Sequence, residues 1–323
     1  MHEPRTTEHS ITVQAPPGEV YALIEDVLSW PVIFGPTVHV EHIGAEGPHE
    51  RLRIWAFVGS DQVRSWESRR FLDPDARKIS FTQVTPPHPV ATMAGEWRVS
   101  EQPAGGSRVD FGHSFTALVD DPSILDRIEE VVDRNSRAEL ESLRIAAELR
   151  NRLGDLVLTF SDDVPVAGTQ EVMYDVLARA GEWPDILPHV SRLELREEDG
   201  GVQFMEMDTT EGGGAVHTTR SVRVCLPPDR IVYKQIGLPE FLSAHVGEWS
   251  LRDGPHGGVA THTVILKEES IPRLLGPGGT VEAARALVRE AIGGNSRITL
   301  ACAREIAESQ RDRDLSSVQK ESV

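Results

Sequence analysis

Cysteine, long apolar runs and net positive charge are all lacking in this sequence of 323 residues. Two cysteines, Cys225 and Cys302, cannot form a disulfide framework and do not form a Cys-x-x-Cys metal or redox motif. No apolar run approaches the length of about 18 residues that a membrane helix needs, and no signal-peptide pattern opens the chain. The net charge of −18 disfavours a nucleic-acid surface, which requires clustered cations. We therefore expect a cytoplasmic protein that binds neither nucleic acid nor membrane.

Several catalytic signatures are also missing. The 12 histidines are scattered, without a His-Glu-x-x-His motif or a tight cluster of histidine and aspartate, which disfavours a metal site. No Gly-x-Ser-x-Gly elbow is present for a serine nucleophile. The glycine clusters at 211–216 and 276–279 lack the spacing of Rossmann or phosphate-binding loops and are typical of turns. The sequence therefore predicts a protein without a metal or cofactor.

An internal repeat is the strongest organisational feature of the chain. Residues 11–30 and 164–183 align without a gap. The register continues through Trp30-Pro31 with Trp183-Pro184 and Arg70 with Arg223. Gly95-Glu96-Trp97 recurs as Gly247-Glu248-Trp249 after the loss of one residue, and Asn135-Ser136-Arg137 recurs as Asn295-Ser296-Arg297 after a short insertion. We predict two homologous domains, 1–152 and 153–323, the second ending in a polar, frayed tail from about residue 311.

Each copy shows the pattern of one strand, a short helix, six strands and a long helix. The first copy begins with an alternating strand at 11–15 and a helix from Pro17, which Trp30-Pro31 is expected to end. The six further strands are predicted near 38–43, 50–58, 62–71, 77–84, 93–101 and 107–117, and the long helices near 122–151 and 280–310. Since a curved antiparallel sheet must bury its concave face, we predict an α+β fold of two tandem helix-grip domains. In each, the sheet wraps around its long C-terminal helix and encloses a cavity.

The first long helix carries a stripe at helical spacing whose middle is small or polar. Its members are Ile124, Ile128, Val131, Asn135, Ala138, Ser142, Ile145 and Leu149. A solid core favours leucine at the middle positions, whereas a cavity accommodates Asn, Ala and Ser. Asn295, Ile298 and Cys302 hold the matching positions of the second copy. The stripe therefore predicts a cavity lining, with a weakly packed core seam as the alternative.

Residues 63–70 place an aromatic ring, a hydroxyl and an arginine at alternate positions of a predicted strand. Trp66, Ser68 and Arg70 therefore lie on one face of the sheet. Arginine is rarely buried without a partner, so Arg70 either lies in solvent or an ion pair, or faces the cavity. In a cavity it can polarise a carbonyl and stabilise an enolate. His113, on the last strand of the first copy, is the nearest candidate for acid–base work, with a hydrogen-bonded wall histidine as the alternative.

The order of these motifs resembles that of the type II polyketide aromatase/cyclases, in the START or helix-grip superfamily, and specifically their didomain subgroup. The motifs are Ala15-Pro16-x-x-x-Val20-Tyr21, Trp30-Pro31-x-x-Phe34, Ser68-x-Arg70, Gly95-Glu96-Trp97 and Asn135-x-Arg137-Ala138. The resemblance spans about 8–152 and 160–310. It implies an enzyme that accepts a poly-β-ketone on an acyl carrier protein, closes the first ring by aldol chemistry and dehydrates it to an aromatic. For didomain members, closure between C7 and C12 is usual.

The resemblance also implies roles for individual residues. The family's pocket arginine and serine correspond to Arg70 and Ser68, which we predict to be catalytic together with His113. The predicted substrate-binding residues are Trp30, Phe34, Trp66, Trp97, Asn135, Ser221, Arg223 and Trp249.

There are departures from the family pattern. The pocket tyrosine of monodomain members falls on Thr37, and their helix asparagine falls on Glu139. In the second copy, Thr219 replaces Trp66 and the alignment places Ile265 at the position of His113. We therefore expect the N-terminal domain to direct the regiospecific chemistry, while the C-terminal domain either dehydrates or supports the fold.

The expected partners are the acyl carrier protein and, through the synthase, a ketoreductase and a ketosynthase. Because carrier proteins are acidic, we predict a local basic patch near a pocket mouth that involves Arg51, Arg53 or Arg64. The competing function is a non-catalytic helix-grip carrier of a lipid, quinone or polyketide, which would have a uniformly apolar cup. A pure interaction scaffold, a third class, needs no cavity. The recurrence of Ser-x-Arg in both copies favours the enzyme.

Overall fold

The computed structural model describes residues 3–59, 61–149, 154–165, 169–210 and 216–321, with side chains as far as Arg313. The chain divides into two compact units, Met1–Gly154 and Asp155–Val323. The predicted division after residue 152 lies outside the described residues. Within the described ranges, no helix is both long enough and apolar enough to cross a membrane.

The N-terminal unit is built on one seven-stranded antiparallel sheet. Its strands are β1 (Arg5–Val13), β2 (Thr37–Glu46), β3 (His49–Phe57), β4 (Val63–Asp73), β5 (Lys78–Gln83), β6 (Val90–Glu101) and β7 (Ser107–Ala117). They are ordered β1-β7-β6-β5-β4-β3-β2. The helices are α1 (Pro17–Glu25), α2 (Trp30–Ile33) and the long α3 (Pro122–Glu148).

The C-terminal unit repeats this arrangement. Its strands are β8 (Val157–Val164), β9 (Val190–Glu198), β10 (Val202–Thr210), β11 (Val216–Leu226), β12 (Arg230–Gly237), β13 (Leu242–Leu251) and β14 (Gly258–Leu266). Its helices are α4 (Gln170–Ala178), α5 (Trp183–Ile186), α6 (Ile271–Leu275) and α7 (Val281–Glu321). The sheet order is β8-β14-β13-β12-β11-β10-β9. The predicted fold class, an α+β tandem of helix-grip units, is confirmed.

Two predicted helix ends differ in the structure. Helix α1 ends at Glu25, and Trp30-Pro31 begins the separate helix α2. Proline suits the start of a helix, because the N–H that it lacks has no partner inside the helix there. At the other end of the chain, α7 continues to Glu321, past the predicted fraying point. No proline or glycine follows Gly294 in this helix, so nothing in the sequence breaks it.

The predicted stripe on the long helix was wrong in its second half. Ile128 is buried as expected, but Ile145 is 44% exposed and Leu149 is 36% exposed. The inner face is instead formed by Ile128, Val132, Ser136, Leu140, Leu143 and Ala147. In the second copy Ser296, Leu300 and Ala303 are buried, while Ile298 is 39% exposed. Because the exposed Ile145 and Leu149 continue the apolar spacing, the predicted buried face was displaced around the helix from the observed one.

The recurring Gly-Glu-Trp motif has a packing explanation. Gly95 pairs with Phe81 of β5, and a Cβ atom on Gly95 would overlap the Phe81 ring and lie 2.5 Å from the carbonyl oxygen of Gly112. Gly247 has the same relation to Tyr233. Trp97, two residues after Gly95, points the same way and is 3% exposed. The glycine thus leaves room for an aromatic ring that lies across the inner face.

We expect Gly95→Ala to destabilise the protein by about 1–3 kcal/mol, because the added methyl group overpacks the inner face. Thermal or denaturant unfolding measures this loss. Gly44→Ala is the matched control in a strand, since its Cβ would meet nothing closer than Arg51 at 4.0 Å. Equal stability of the two variants would contradict the packing explanation.

Candidate functional site

In each sheet, one row of residues that pair across neighbouring strands contains the arginine that occurs in both copies of the repeat. In the N-terminal unit the row runs through Glu50, Arg70, Phe81, Gly95, His113 and Thr7. In the C-terminal unit it runs through Gln203, Arg223, Tyr233, Gly247, His262 and Phe160. We call these the N-terminal and C-terminal arginine rows. Residues paired across neighbouring strands have Cβ atoms about 5 Å apart, so each row brings its side chains together on one face.

Arg70 is buried, at 3% exposure, and its guanidinium is held by two kinds of acceptor. Nε and Nη2 donate to the Glu50 carboxylate at 3.1 and 2.6 Å. Nη1 donates to the carbonyl oxygen of Ile24 at 3.0 Å, and Nη2 to that of Glu25 at 2.8 Å. The carbonyls of the last helical turn lack partners within a helix, so Arg70 caps the end of α1 from the sheet.

This geometry combines the two predicted interpretations of Arg70. The residue faces the interior, and it is also in an ion pair. The four hydrogen bonds use four of its five N–H groups, which leaves one N–H of Nη1 for another acceptor. Its guanidinium carbon also lies 5.3 Å from the ring centroid of Trp30. Burial lowers the pKa of Arg70 and Glu50 opposes this effect, so the group stays cationic.

Three further predicted residues lie along the same part of the unit. Ser68 is 2% exposed and donates to the carbonyl oxygen of Thr82 at 3.4 Å. Trp66 is half-buried and packs against a small apolar cluster that includes Leu52. The Asn135 side chain donates to the carbonyl oxygen of Phe57 at 3.0 Å. Trp66, Ser68 and Arg70 share the inner face, while Asn135 joins α3 to the end of β3.

An aromatic stack forms another part of this interior. The Trp97 and Phe111 ring centroids lie 3.4 Å apart in a stacked arrangement, and Phe34 lies 6.2 Å from Trp97. Trp30 meets Phe34 edge-on at 5.4 Å. Phe34 and Trp97 are 1% and 3% exposed, so they act mainly as packed core in this conformation. The half-buried Trp30 is the member that lies against the Arg70 guanidinium.

His113 is a neutral group at physiological pH. Its ring lies against Phe111 at 4.3 Å and Phe81 at 5.6 Å, and burial lowers its pKa to about 3. Its Nδ1 is buried and has no hydrogen-bond partner among the described residues. A histidine with so low a pKa is a weak base near pH 7, so its chemistry there is that of a neutral hydrogen-bonding group.

The pairing of His113 with Ile265 in the repeat was wrong. His113 pairs with Gly95, and the residue that pairs with the equivalent Gly247 is His262. The hairpin of β13 and β14 is shorter than that of β6 and β7, and continuing the alignment without a gap therefore misplaced the match. Histidine is thus present in both arginine rows.

Glu139 has an unusual environment that the sequence did not reveal. It lies on α3 within the buried arc that Val132, Ser136 and Leu143 define, and no hydrogen bond or ion pair engages it among the described residues. Its side chain keeps some accessible surface, while the surrounding protein desolvates the carboxyl and raises its pKa to about 8. Glu139 is therefore a desolvated carboxyl without a polar partner among the described residues. The only signal in the sequence was a carboxylate at the family's asparagine position.

The C-terminal arginine row differs from the N-terminal row in having no carboxylate beside its arginine. Arg223 is 1% exposed and its Nη2 donates to the carbonyl oxygen of Leu177, while its guanidinium carbon lies 4.9 Å from the Trp183 ring centroid. Gln203 stands where the N-terminal row has Glu50, so no carboxylate faces the arginine across the strand pair. Nε and Nη1 of Arg223 are buried and have no acceptor among the described residues.

A chain of polar side chains continues from this row. Tyr233 Oη lies 2.9 Å from His262 Nδ1, and Ser296 Oγ lies 2.8 Å from His262 Nε2. His245 Nε2 approaches the same Nδ1 at 3.2 Å. Burial lowers the pKa of His245 to about 3 and that of His262 to about 4, so both are neutral near pH 7. Throughout the described ranges, no group of three or more His, Cys, Asp or Glu residues is arranged to hold a metal.

The remaining predicted residues are two in the C-terminal unit and the three arginines of the predicted basic patch. Ser221 is 4% exposed on the inner face of β11, and Trp249 is 6% exposed in the C-terminal core. The predicted basic residues Arg51 and Arg53 lie on the outer face of β3, where they bind Glu67 at 3.0 and 2.8 Å. The exposed Arg69 pairs with Arg51 across the strands.

Arg64 is separate from this outer group. Its Nη1 donates to the carbonyl oxygen of Val63 at 3.2 Å, and its position in β4 shares the alternation of Trp66 and Arg70. The basic group on the outer face of the sheet therefore comprises Arg51, Arg53 and Arg69, with Glu67 among them. We call it the β3–β4 basic patch.

The chain is similar to known proteins over nearly its whole length. Two related families that share the description "Polyketide cyclase / dehydrase and lipid transport" match the chain, one over residues 4–148 and the other over residues 166–288. The granaticin polyketide synthase bifunctional cyclase/dehydratase of Streptomyces violaceoruber is 42% identical over 94% of each chain.

Two solved structures have the same two-unit architecture. The di-domain ARO/CYC BexL from the BE-7585A biosynthetic pathway has a TM-score of 0.84 and 43% identity, over 94% of this chain and 99% of its own. The di-domain ARO/CYC StfQ from the steffimycin biosynthetic pathway has a TM-score of 0.83 and 36% identity, over 95% and 99%. With two matched domains, this fold and this level of identity, the chain belongs to the polyketide cyclase/dehydratase family as a two-domain cyclase/dehydratase enzyme.

Proposed function

We propose that this enzyme, in the cytoplasm, directs first-ring aldol closure between C7 and C12 of a poly-β-ketone held on an acyl carrier protein, and then dehydrates the ring. The observation that carries the proposal is the inward-facing Arg70, fixed by Glu50 and the end of α1, with one N–H left for an acceptor. The similarity to the granaticin synthase cyclase/dehydratase supports the reaction class. We expect the carrier protein, ketoreductase and ketosynthase of one synthase to supply the substrate.

Ring closure needs a folded chain and an activated carbonyl. The interior of the N-terminal unit offers aromatic surfaces such as Trp30 and Trp66, against which a flat, enolised chain can pack. Holding the nucleophilic carbon near one carbonyl contributes several kcal/mol by removing unproductive conformations. The remaining N–H of Arg70 donates to that carbonyl oxygen and stabilises the negative charge that forms as the carbon–carbon bond closes.

Dehydration needs a proton donor, and Glu139 has the required properties. With its pKa raised to about 8, its carboxyl is mostly protonated at neutral pH. It gives its proton to the leaving hydroxyl as the carbon–oxygen bond breaks, and water departs. The resulting carboxylate takes the proton from the neighbouring carbon, which forms the double bond and restores the acid.

The role of Arg70 is tested by product profiling in a reconstituted synthase. Replacing Arg70 alone would leave the half-buried Glu50 carboxylate without its partner, which is destabilising. We therefore use the Arg70→Gln/Glu50→Gln double variant and expect a larger share of products whose first ring closed elsewhere. Lys78→Gln/Glu96→Gln, which removes an ion pair on the outer face of the same sheet, is the control, with a product ratio close to the wild type.

The same experiment separates the enzyme from a carrier. A folded double variant with the wild-type product ratio would show that Arg70 does not direct closure. If the wild-type protein bound the polyketide tightly and left the product ratio of the synthase unchanged, the non-catalytic carrier would be the better interpretation.

For Glu139→Gln we expect the dehydration rate to fall by about 10²-fold or more, while ring closure continues. In the wild type this rate should decline as pH rises past about 8, because the carboxyl then loses its proton, and the variant should lack this decline. The pH profile of the accumulated β-hydroxy ketone measures both effects.

The stability of the Glu139→Gln variant is the control for its dehydration rate. A raised carboxyl pKa favours folding at low pH, and this contribution is lost as pH rises towards about 8. Glu139→Gln should therefore be at least as stable as the wild type at alkaline pH. An unchanged dehydration rate in this folded variant would remove Glu139 from the mechanism.

We further propose that the carrier protein docks on the β3–β4 basic patch. Arg51, Arg53 and Arg69 lie beside Glu67 there, and Glu41 pairs with Arg53 from β2, so the patch keeps one net positive charge on a chain with a net charge of −18. Such a patch attracts an acidic partner and mainly accelerates association.

Charge reversal tests the docking surface. We expect Arg51→Glu/Arg53→Glu to raise the KM for carrier-bound substrate at low salt, with kcat unchanged and the difference reduced at high salt. Arg98→Glu/Arg108→Glu is the matched control, because these arginines are similarly exposed on the outer face of β6 and β7 and also lie beside carboxylates. Equal KM values for the two double variants would place docking elsewhere.

A further inference from the structure

Among the described residues of the C-terminal unit, Arg223 is a buried cation without a counter-ion. Arg223 is 1% exposed, and the only hydrogen bond that its guanidinium makes among the described residues is from Nη2 to the Leu177 carbonyl. Nε and Nη1 are buried and find no acceptor there. Burial lowers the pKa of Arg223, but arginine remains protonated at physiological pH.

Comparison with the N-terminal unit shows which acceptors Arg223 lacks. Its Arg70 has a carboxylate, Glu50, opposite it in the row and takes the carbonyl of Glu25 as well. In the C-terminal row, Gln203 replaces the carboxylate, and its amide donates to Ala178, the carbonyl that corresponds to Glu25. The nearest strand neighbour with a carboxylate, Glu197, accepts from Gln203 and not from Arg223.

An unpaired buried charge is strongly unfavourable in a protein interior. Two donor groups without acceptors add to this effect, since each leaves a desolvated polar group unsatisfied. A ligand that brings an anionic oxygen would supply the missing charge and the missing acceptor together. The interior of the N-terminal unit has no such requirement, because Glu50 already meets it.

The surroundings of Arg223 define the class of ligand. The ring of Trp183 lies against its guanidinium, and Tyr233 is its partner across the strands. Beyond Tyr233, the neutral His262 and Ser296 continue the polar chain to α7. These aromatic neighbours favour a flat aromatic or cyclic ligand, with one delocalised negative oxygen directed at the arginine.

We propose that the C-terminal unit binds the enolate or phenolate oxygen of a flat cyclic ketone or phenol at Arg223, within its interior. The site is separate from the N-terminal one that closes the ring. The inference rests on the proposed function only in taking a cyclised polyketide as the natural ligand. The charge argument itself concerns the C-terminal unit alone.

The test uses the full-length protein and 4-nitrophenol, whose phenolate forms near neutral pH and absorbs visible light. We expect the phenolate, on the alkaline side of the probe's pKa, to bind at least about tenfold more tightly than the phenol on the acidic side, equivalent to lowering the pKa of the bound probe by about one unit. Equilibrium titration followed by absorbance measures this preference. 4-Nitroanisole, which cannot form the anion, should bind no better than the phenol.

Two variants tie the preference to Arg223. Arg223→Met removes the cation, and Gln203→Glu/Glu197→Gln moves a carboxylate next to it without changing the net charge. Both should abolish the preference for the phenolate while the protein stays folded by circular dichroism. A wild-type protein without the preference, or a preference that survives in either folded variant, would overturn the proposal.

The assay is independent of ring closure, because it uses neither polyketide nor carrier protein. If the phenolate preference is absent while the Arg70 variants still change the product ratio, only the C-terminal site fails. If the preference is present while the product ratio never depends on Arg70, only the proposed N-terminal function fails.

Discussion

The burial of one arginine in each sheet is the constraint on which the rest of each unit depends. A guanidinium removed from water needs acceptors for its donors and a balance for its charge. In the N-terminal unit, α1 supplies two carbonyls from its last turn and β3 supplies Glu50. Arg70 thereby fixes where the short helix ends against the sheet, and Trp30, which begins the next helix, packs over the same guanidinium. The position of the interior aromatic surface thus follows from the arginine.

The repeat shows how one residue can change the character of an interior. Glu50 and Gln203 occupy matching positions, have nearly the same shape and pair with the matching arginines, Arg70 and Arg223. The carboxylate accepts two hydrogen bonds from Arg70 and balances its charge, whereas the amide donates to a carbonyl and leaves Arg223 with unpaired donors among the described residues. Two units with one fold therefore present different charges to a bound molecule. Similarity of sequence and topology between the copies does not imply the same chemistry.

The sequence predicted the features that follow from short, regular periods. The alternation of a strand put Ser68 and Arg70 on the inner face, and both are buried there. Features that depend on more distant structure were not predicted. Ile145 continues the apolar spacing of the long helix, although it is exposed. Because the β13–β14 hairpin is shorter than the β6–β7 hairpin, the alignment of the repeat paired His113 with the wrong residue. The ion pair of Arg70 with Glu50 joins two strands whose register no local pattern specifies.

The electrostatics of the two interiors suit different stages of one reaction. Near pH 7, His113 is neutral and Glu139 is mostly protonated, so the charges of Arg70 and Glu50 are the main ones in the N-terminal row, and they cancel. A neutral poly-β-ketone can bind there without leaving a charge unbalanced, and negative charge arises only as the ring closes, where it gains most from a fixed donor. The unbalanced Arg223 instead favours a ligand that is already anionic. If both proposals hold, the enol of a closed ring, which is more acidic than a simple ketone, is the molecule that would prefer the C-terminal unit.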